Sequence, residues 1–347
     1  MFVFLFLICY YFVMENTKEL QKSLQKRNFY TTKDSANVFL YALLLPLAVS
    51  FLFAFVLVSF LPKDDPNANV LQIILDKYLW VAILMTMITQ IVFACLYFVY
   101  NKASRIQQRS CNISFKKANV WTVILSCFMG IVSVFGFIWL VEFCFGGLWE
   151  TIGISTEGFA LPLNNIGWLF ANLLLLGVVP AICEELLFRG IIFQGLKEKF
   201  SPFLSCVLTA LLFALMHQNI VQFIYPLILG FVLSLVMHRT NNLLYPILIH
   251  LFNNFTTIIL TYLMNIGVIN LSINLTWWFV LIAIVVAAIT GLVWWLIDKF
   301  YLSKHKKIEV EKQGEVYQTS PISFGKFPLT MIIGVLLSIV MIVINAV

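Results

Sequence analysis

The feature that most constrains this chain is a succession of apolar blocks about twenty residues long, the length that a helix needs to cross a bilayer. Such blocks are found at 37–62, 78–100, 119–141, 166–197, 203–218, 220–237, 243–265, 274–297 and 327–347. Only 11% of the residues are charged, whereas an ordinary globular domain has about 25%. An outer-membrane barrel would alternate apolar and polar residues instead. We therefore predict an all-α protein, a polytopic transmembrane helical bundle of about 8–10 spans.

The basic residues predict how these spans are oriented. Lysine and arginine concentrate in segments 15–36, 101–118 and 298–326, whereas segments 63–77 and 142–165 are poor in base. Since cytoplasmic loops carry the excess of Lys and Arg, alternating spans place all three basic segments on the cytoplasmic side. The expected protein is a multi-pass integral membrane protein in contact with lipid. No P-loop, GxGxxG pattern or aromatic-basic patch occurs, so no nucleic-acid partner is expected.

One predicted span is too long for a simple crossing. Residues 166–197 would form a straight helix of about 48 Å, whereas the hydrocarbon core is about 30 Å thick. Pro180 lies within this block, and proline removes a helical hydrogen bond. We therefore predict a kink or break at Pro180, just before two adjacent glutamates.

These glutamates belong to the stretch CEELLFRG, residues 183–190, inside the same apolar block. An ionisable residue at membrane depth is expensive, and it is a functional hypothesis by default. Glu185 and Arg189 are separated by four residues, so they lie on one helix face and can pair as a structural lock. Glu184 is rotated by about 100° and lacks that partner. It is therefore the candidate general base.

Two histidines provide further polar groups at membrane depth. His217 ends the stretch FALMH, and His250 begins the stretch HLFNN. His250 and Asn254 are four residues apart, so an imidazole and a carboxamide face one point and can donate hydrogen bonds to an oxyanion. Two structural interpretations stay open: a hydrogen-bonded core histidine for His217, and an interhelical hydrogen-bond pair for His250 and Asn254.

Together these motifs resemble the CAAX prenyl protease type II and bacteriocin-processing family of intramembrane endopeptidases, often called the Abi family. The residues that carry the resemblance are Glu184-Glu185-x-x-x-Arg189, Phe213-x-x-x-His217 and His250-x-x-x-Asn254. It covers about residues 166–258. The resemblance implies an intramembrane catalytic site in which Glu184 activates water, His217 positions that water, and His250 and Asn254 hold the oxyanion. It also implies that the Glu185–Arg189 pair holds the helix.

The expected reaction is hydrolysis of peptide bonds in small hydrophobic or lipidated peptides or proteins. It requires an activated water, a proton donor for the leaving amine and oxyanion stabilisation. We expect no cofactor and no metal, since the sequence has no HExxH motif. The minority interpretation is a zinc ion bound by Glu184, His217 and His250 with an open fourth position.

Two other classes of function are compatible with these residues. The first is a non-catalytic membrane adaptor or a bacteriocin self-immunity protein. The second is a proton-coupled transporter, in which the intramembrane Glu and His form a proton relay, although no paired broken helices occur in the two halves. The short loops and the Phe-, Ile-, Asn- and Lys-rich composition favour a bacterial plasma membrane.

Three regions are expected along the chain. Residues 1–118 form a variable N-terminal membrane region with cytoplasmic basic loops, residues 119–265 form the protease-like core, and residues 266–347 form a C-terminal membrane region with two further spans. Residues 1–14 are apolar but short for a span and lack the features of a signal peptide. They are either a partial anchor or a segment that precedes a translation start at Met14.

Overall fold

The computed structural model describes residues 30–58, 79–103, 118–138, 162–269 and 327–346, and isolated positions between 281 and 295. Within these ranges the regular secondary structure is helical, and no strand is found. The predicted all-α fold is confirmed. Residues 1–14, most of the predicted span 274–297 and most of the loops used to predict orientation lie outside the described residues.

The described residues give the bounds of eight helices. Their bounds are α1 Thr32–Val58, α2 Leu79–Ala103, α3 Val120–Ser133 with a π-helical extension Val134–Ile138, α4 Ile166–Leu196, α5 Pro202–Met216, α6 Ile224–Thr240, α7 Leu244–Asn265 and α8 Leu329–Ala346. In the described part of the chain, α1, α4 and α7 are long and apolar enough to cross a membrane, and the other apolar helices are shorter. The molecule is therefore a helical membrane bundle.

Helix α4 stays continuous through Pro180, where the sequence predicted a kink or break. A π-helical segment, Leu173–Val178, precedes the proline, and a second one, Phe188–Ile192, follows the two glutamates. Proline offers no N–H to the carbonyl four residues earlier and its ring clashes with that carbonyl. The π-helical segment therefore stands in place of a break, and π-helical turns are frequent at functional sites.

Helix α5 is also unusual, because it is short. Its 15 residues extend about 22 Å, less than the hydrocarbon thickness of about 30 Å. Ser201 caps its first turn by accepting a hydrogen bond from the Leu204 N–H at 3.3 Å. The basic turn Lys197–Lys199 precedes this cap. The far end of α5, where His217 follows, therefore stops inside the bundle.

Two apolar clusters hold the described helices together. The larger one joins α1, α2, α4, α5 and α8 and includes Met237 of α6 and Ile247 of α7. Its largest fully buried aromatic side chains are Tyr30, Phe39, Phe93, Phe188, Phe193 and Phe213. The smaller one joins α3, α6 and α7 through Leu125, Leu229, Leu233, Val236, Tyr245 and Ile249. The glutamates of α4 lie where the helices of the two clusters meet, since α4 packs against both α2 and α7.

Helices α3 and α7 approach each other closely at Gly130. A Cβ atom at this position would collide with the Ile249 carbonyl and with Phe252. Small residues permit such backbone contact between membrane helices. This glycine therefore determines how closely α3 can support the helix that carries His250.

We expect Gly130→Val to destabilise the bundle by at least about 2 kcal/mol, because the new side chain overpacks the α3–α7 contact. The measurement is thermal unfolding in detergent, followed by helical circular dichroism. Ile124→Val on the same helix is the control, since Ile124 is 53% exposed. Equal melting temperatures for the two variants would contradict the close packing.

Candidate active site

The site is built around a buried ion pair on α4. Arg189 Nη1 donates to Glu185 Oε1 at 2.8 Å, and both side chains are completely buried. Arg189 Nη2 donates to the Gly230 carbonyl of α6 at 2.8 Å. A Cβ atom at Gly230 would lie 3.0 Å from the Phe213 ring and 3.4 Å from Arg189 Nη2. The absence of a side chain at this position therefore lets the guanidinium reach the backbone.

Glu185 has a second partner on α7. His250 Nδ1 lies 3.0 Å from the same Oε1 atom that accepts from Arg189. Since a carboxylate paired with a guanidinium accepts hydrogen bonds, Nδ1 carries the hydrogen in this contact. His250 Nε2 is then directed away from Glu185, and it lies 4.0 Å from Glu184 Oε2. Glu185 thus fixes the orientation of the imidazole that faces Glu184.

Glu184 occupies a different environment from its neighbour. Its side chain is 15% exposed, whereas that of Glu185 is 0% exposed. Gln90 of α2 donates from Nε2 to Glu184 Oε1 at 3.1 Å. The other carboxylate oxygen, Oε2, faces His250 at a separation too long for a direct hydrogen bond. A gap of this length between two polar atoms is suited to a bridging molecule such as water.

The Phe213 ring joins the three sequence motifs. Its centroid lies 4.7 Å from the Arg189 guanidinium carbon, 5.0 Å from the His217 ring centroid and 5.9 Å from the His250 ring centroid. The guanidinium thus receives a cation–π contact in a desolvated place. Both imidazoles meet the ring edge to face. The phenylalanine of the second motif is therefore the common wall of the site.

His217 follows the last residue of α5. Its Nδ1 lies 2.9 Å from the Phe213 carbonyl. A carbonyl oxygen can only accept, so Nδ1 carries the hydrogen and Nε2 is the nitrogen left for other partners. The short length of α5 explains how His217 reaches this depth.

Asn254 lies one turn beyond His250 on α7. Its Nδ2 donates to the Leu176 carbonyl at 3.2 Å. Leu176 belongs to the π-helical segment that directly precedes Pro180. One amide hydrogen of Asn254 therefore ties α7 to this segment, and the second remains for another acceptor.

The structure brings most of the residues predicted from the sequence into contact. Glu185 touches Arg189 and His250, and Glu184 faces His250. His217 joins them through Phe213, whereas Asn254 binds the π-helical segment of α4. Sequence reasoning missed Gln90 as a neighbour of Glu184. A carboxamide in an apolar span was the available signal, since such residues bond across helices.

The zinc alternative concerns Glu184, His217 and His250. Among the described residues, no group of three His, Cys, Asp or Glu side chains is arranged to hold a metal ion. His250 Nδ1 is held by Glu185, and His217 Nδ1 by the Phe213 carbonyl. A metal-ligating histidine commonly donates its other ring N–H to a carboxylate or a carbonyl, so Nε2 is the atom of each ring that a metal ion would meet.

The geometry defines a class of protein: an integral membrane helical bundle with a charged Glu–Arg–His cluster buried among its helices. Residues 166–256 match the family model described as "Type II CAAX prenyl endopeptidase Rce1-like". All the predicted site residues, from Glu184 to Asn254, lie within this match. The family resemblance predicted from the sequence is confirmed: this segment of the chain is similar to the Rce1-like type II CAAX prenyl endopeptidase family.

Two bacterial proteins are similar to this chain. "Putative membrane peptidase YdiL" of Bacillus subtilis (strain 168) is 28% identical over 109 residues, 31% of this chain and 45% of that protein. "UPF0177 protein YxdF" of Lactococcus lactis subsp. lactis (strain IL1403) is 35% identical over 77 residues, 22% of this chain and 42% of that protein. The chain thus spans less than half the length of either relative. No solved structure matches the chain significantly.

We expect Arg189→Met to destabilise the protein by about 3–5 kcal/mol, because it leaves Glu185 as a buried charge without its partner. The double variant Glu185→Gln/Arg189→Met removes both charges and should recover a large part of that loss. Thermal unfolding of the wild type, Glu185→Gln, Arg189→Met and the double variant in detergent measures the coupling. If the loss of stability in the double variant equals the sum of the two single losses, the pair is not coupled.

Proposed function

We propose that this protein is an intramembrane endopeptidase that hydrolyses peptide bonds with a water activated by Glu184. The observation that carries the proposal is the 4.0 Å separation between Glu184 Oε2 and His250 Nε2. The two groups face each other beside a fully buried ion pair, at the depth of the apolar helices. The match of residues 166–256 to an endopeptidase family supports the same conclusion.

In the first step, Glu184 accepts a proton from the attacking water. The oxygen of that water forms a bond to the carbonyl carbon of the substrate, and the C–O π electrons move to the carbonyl oxygen. His217 has Nε2 left for this water, because its Nδ1 is held by the Phe213 carbonyl. It is suited to orient the water and to share its proton.

The developing oxyanion requires hydrogen-bond donors that are already in place. The proposal requires a hydrogen on both ring nitrogens of His250. The Nε2–H of His250 then donates to the oxyanion, while its Nδ1–H stays on Glu185. Asn254 contributes its second amide hydrogen, since the first is fixed by the Leu176 carbonyl.

In the last step the tetrahedral intermediate collapses. The C–N bond breaks, and Glu184 returns the proton to the leaving amine, so the carboxylate is regenerated. Glu185 and Arg189 do not exchange protons in this scheme. Their role is to hold α4 and to fix the orientation of the His250 ring.

The proposed substrates are hydrophobic or lipidated peptides or proteins that reach the site from the membrane. Because the site lies among apolar helices, it favours a substrate in which the residues on either side of the cleaved bond are apolar and contact these helices in place of lipid. The two relatives are bacterial proteins, one of them described as a membrane peptidase. We therefore place the protein, as a multi-pass integral protein, in a bacterial plasma membrane.

We expect Glu184→Gln to lower the cleavage rate at least about 100-fold, because it removes the general base. The assay uses the full chain in detergent and a panel of quenched fluorogenic hydrophobic peptides, with and without a prenyl group. Glu198→Gln is the matched control, since Glu198 is exposed and accepts from the Thr32 N–H, away from the site.

A chelator arm tests the metal-free mechanism. Cleavage that the chelator spares and Glu184→Gln abolishes supports a glutamate-activated water. Loss of cleavage on chelation favours the zinc alternative. A Glu184→Gln enzyme with wild-type activity contradicts the proposed base, and a wild type that cleaves no peptide favours a non-catalytic adaptor.

We expect Asn254→Ala to lower kcat about 100-fold, since it removes one oxyanion donor. The adjacent Asn253 provides the control, because its amide donates instead to Ser133 and Tyr225. Asn253→Ala should lower the melting temperature and leave kcat close to that of the wild type. Steady-state kinetics and thermal unfolding measure the two effects. The reverse pattern, a loss of kcat in Asn253→Ala and none in Asn254→Ala, would contradict the catalytic role of Asn254.

A further inference from the structure

We propose that Gln90 is a positioning residue for Glu184, supplied by a helix outside the family core. This inference rests on the proposed function, because it assigns a purpose to one oxygen of the proposed general base. Gln90 lies on α2, and the family match begins only at residue 166. The N-terminal membrane region would therefore complete the site rather than merely flank it.

The contact itself is direct and buried. Gln90 is 6% exposed, and its Nε2 donates to Glu184 Oε1 at 3.1 Å. The amide nitrogen is the group that must face the carboxylate, because an ionised carboxylate only accepts hydrogen bonds. Helix α2 packs along the part of α4 that carries both glutamates. The donor is thus held by helix packing and not by a mobile loop.

This hydrogen bond gives the two oxygens of Glu184 different tasks. Oε1 is occupied by Gln90, whereas Oε2 faces His250 Nε2 at 4.0 Å. With one oxygen tethered, rotation about the last side-chain bond is restricted, and Oε2 stays directed at the proposed water position. Restricting a reacting group to the productive orientation accelerates the chemical step.

The other end of the carboxamide also indicates a functional position. Gln90 Oε1 is buried and finds no hydrogen-bond partner within the described part of the chain. A buried polar atom without a partner is costly, and in native proteins such an atom calls for an explanation. The hydrogen bond from Gln90 Nε2 to Glu184 explains why a carboxamide is present in this apolar span, although its oxygen has no partner.

The test compares two matched variants, Gln90→Met and Gln194→Met. Gln194 is also a buried glutamine on a membrane helix, 8% exposed, but its Nε2 donates to the Arg189 carbonyl at 3.2 Å. Methionine keeps the length of either side chain and removes the carboxamide. Both variants lose one buried hydrogen bond, so a purely structural effect should be similar in the two.

The kinetic arm measures kcat and KM of the full chain with the peptide that the wild type cleaves best. We expect Gln90→Met to lower kcat between about tenfold and 100-fold, with little change in KM, because a hydrogen bond to a charged group is lost in the reacting centre. Gln194→Met should retain the wild-type kcat. Equal kcat values for Gln90→Met and the wild type would overturn the positioning role.

A spectroscopic arm tests the contact without relying on cleavage. The carboxylate stretch of Glu184 is isolated as the infrared difference between each protein and its Glu184→Gln counterpart. We expect this band to shift in Gln90→Met and to stay in place in Gln194→Met. An unshifted band in Gln90→Met overturns the proposal.

The two arms separate the two hypotheses. A wild type that cleaves no peptide overturns the proposed function, and with it the kinetic role of Gln90. A wild type that cleaves, beside an inactive Glu184→Gln and a fully active Gln90→Met, overturns only the role of Gln90. Loss of kcat together with a shifted band supports both.

Discussion

The buried pair of Glu185 and Arg189 is the interaction on which the rest of the site depends. A guanidinium at membrane depth requires partners for its charge and its donors. Arg189 finds partners for its charge and for both Nη atoms on three helices: a carboxylate on α4, the Gly230 carbonyl on α6 and the ring of Phe213 on α5. Glu185 in turn holds His250 of α7. Four helices are thus fixed around one charge, since leaving any of these groups unpaired would be costly.

This arrangement gives two adjacent glutamates different roles. Glu185 is completely buried, and its Oε1 accepts from both Arg189 and His250. Glu184 is rotated by about 100° on the helix, so it avoids the guanidinium and faces the free side of the same imidazole. The structural carboxylate orients the histidine, and the proposed catalytic carboxylate lies opposite its Nε2. One helix can therefore hold the site and also supply the proposed base.

The π-helical segment before Pro180 in α4 reflects the same need to pair buried polar groups. Pro180 removes a backbone donor, and in the π-helical segment before it the Leu176 carbonyl accepts a hydrogen bond from the Asn254 amide. In a membrane a carbonyl without a partner costs several kcal/mol, so this contact with α7 is stabilising. The helix stays continuous through a π-helical segment. Asn254 thereby gains a fixed orientation that an isolated asparagine on a helix surface would lack.

The amino-acid sequence by itself determined the helical membrane fold and the Glu185–Arg189 pair, because both follow from local periodicity and from the length of apolar blocks. It also singled out the two histidines as unusual for their depth. Only the tertiary structure decided that His250 is oriented by Glu185, that α5 ends where His217 meets Phe213, and that Gln90 reaches Glu184. These contacts join residues far apart in the chain. They depend on which helices are neighbours and on how each is rotated about its axis, and helical periodicity in one segment contains neither quantity.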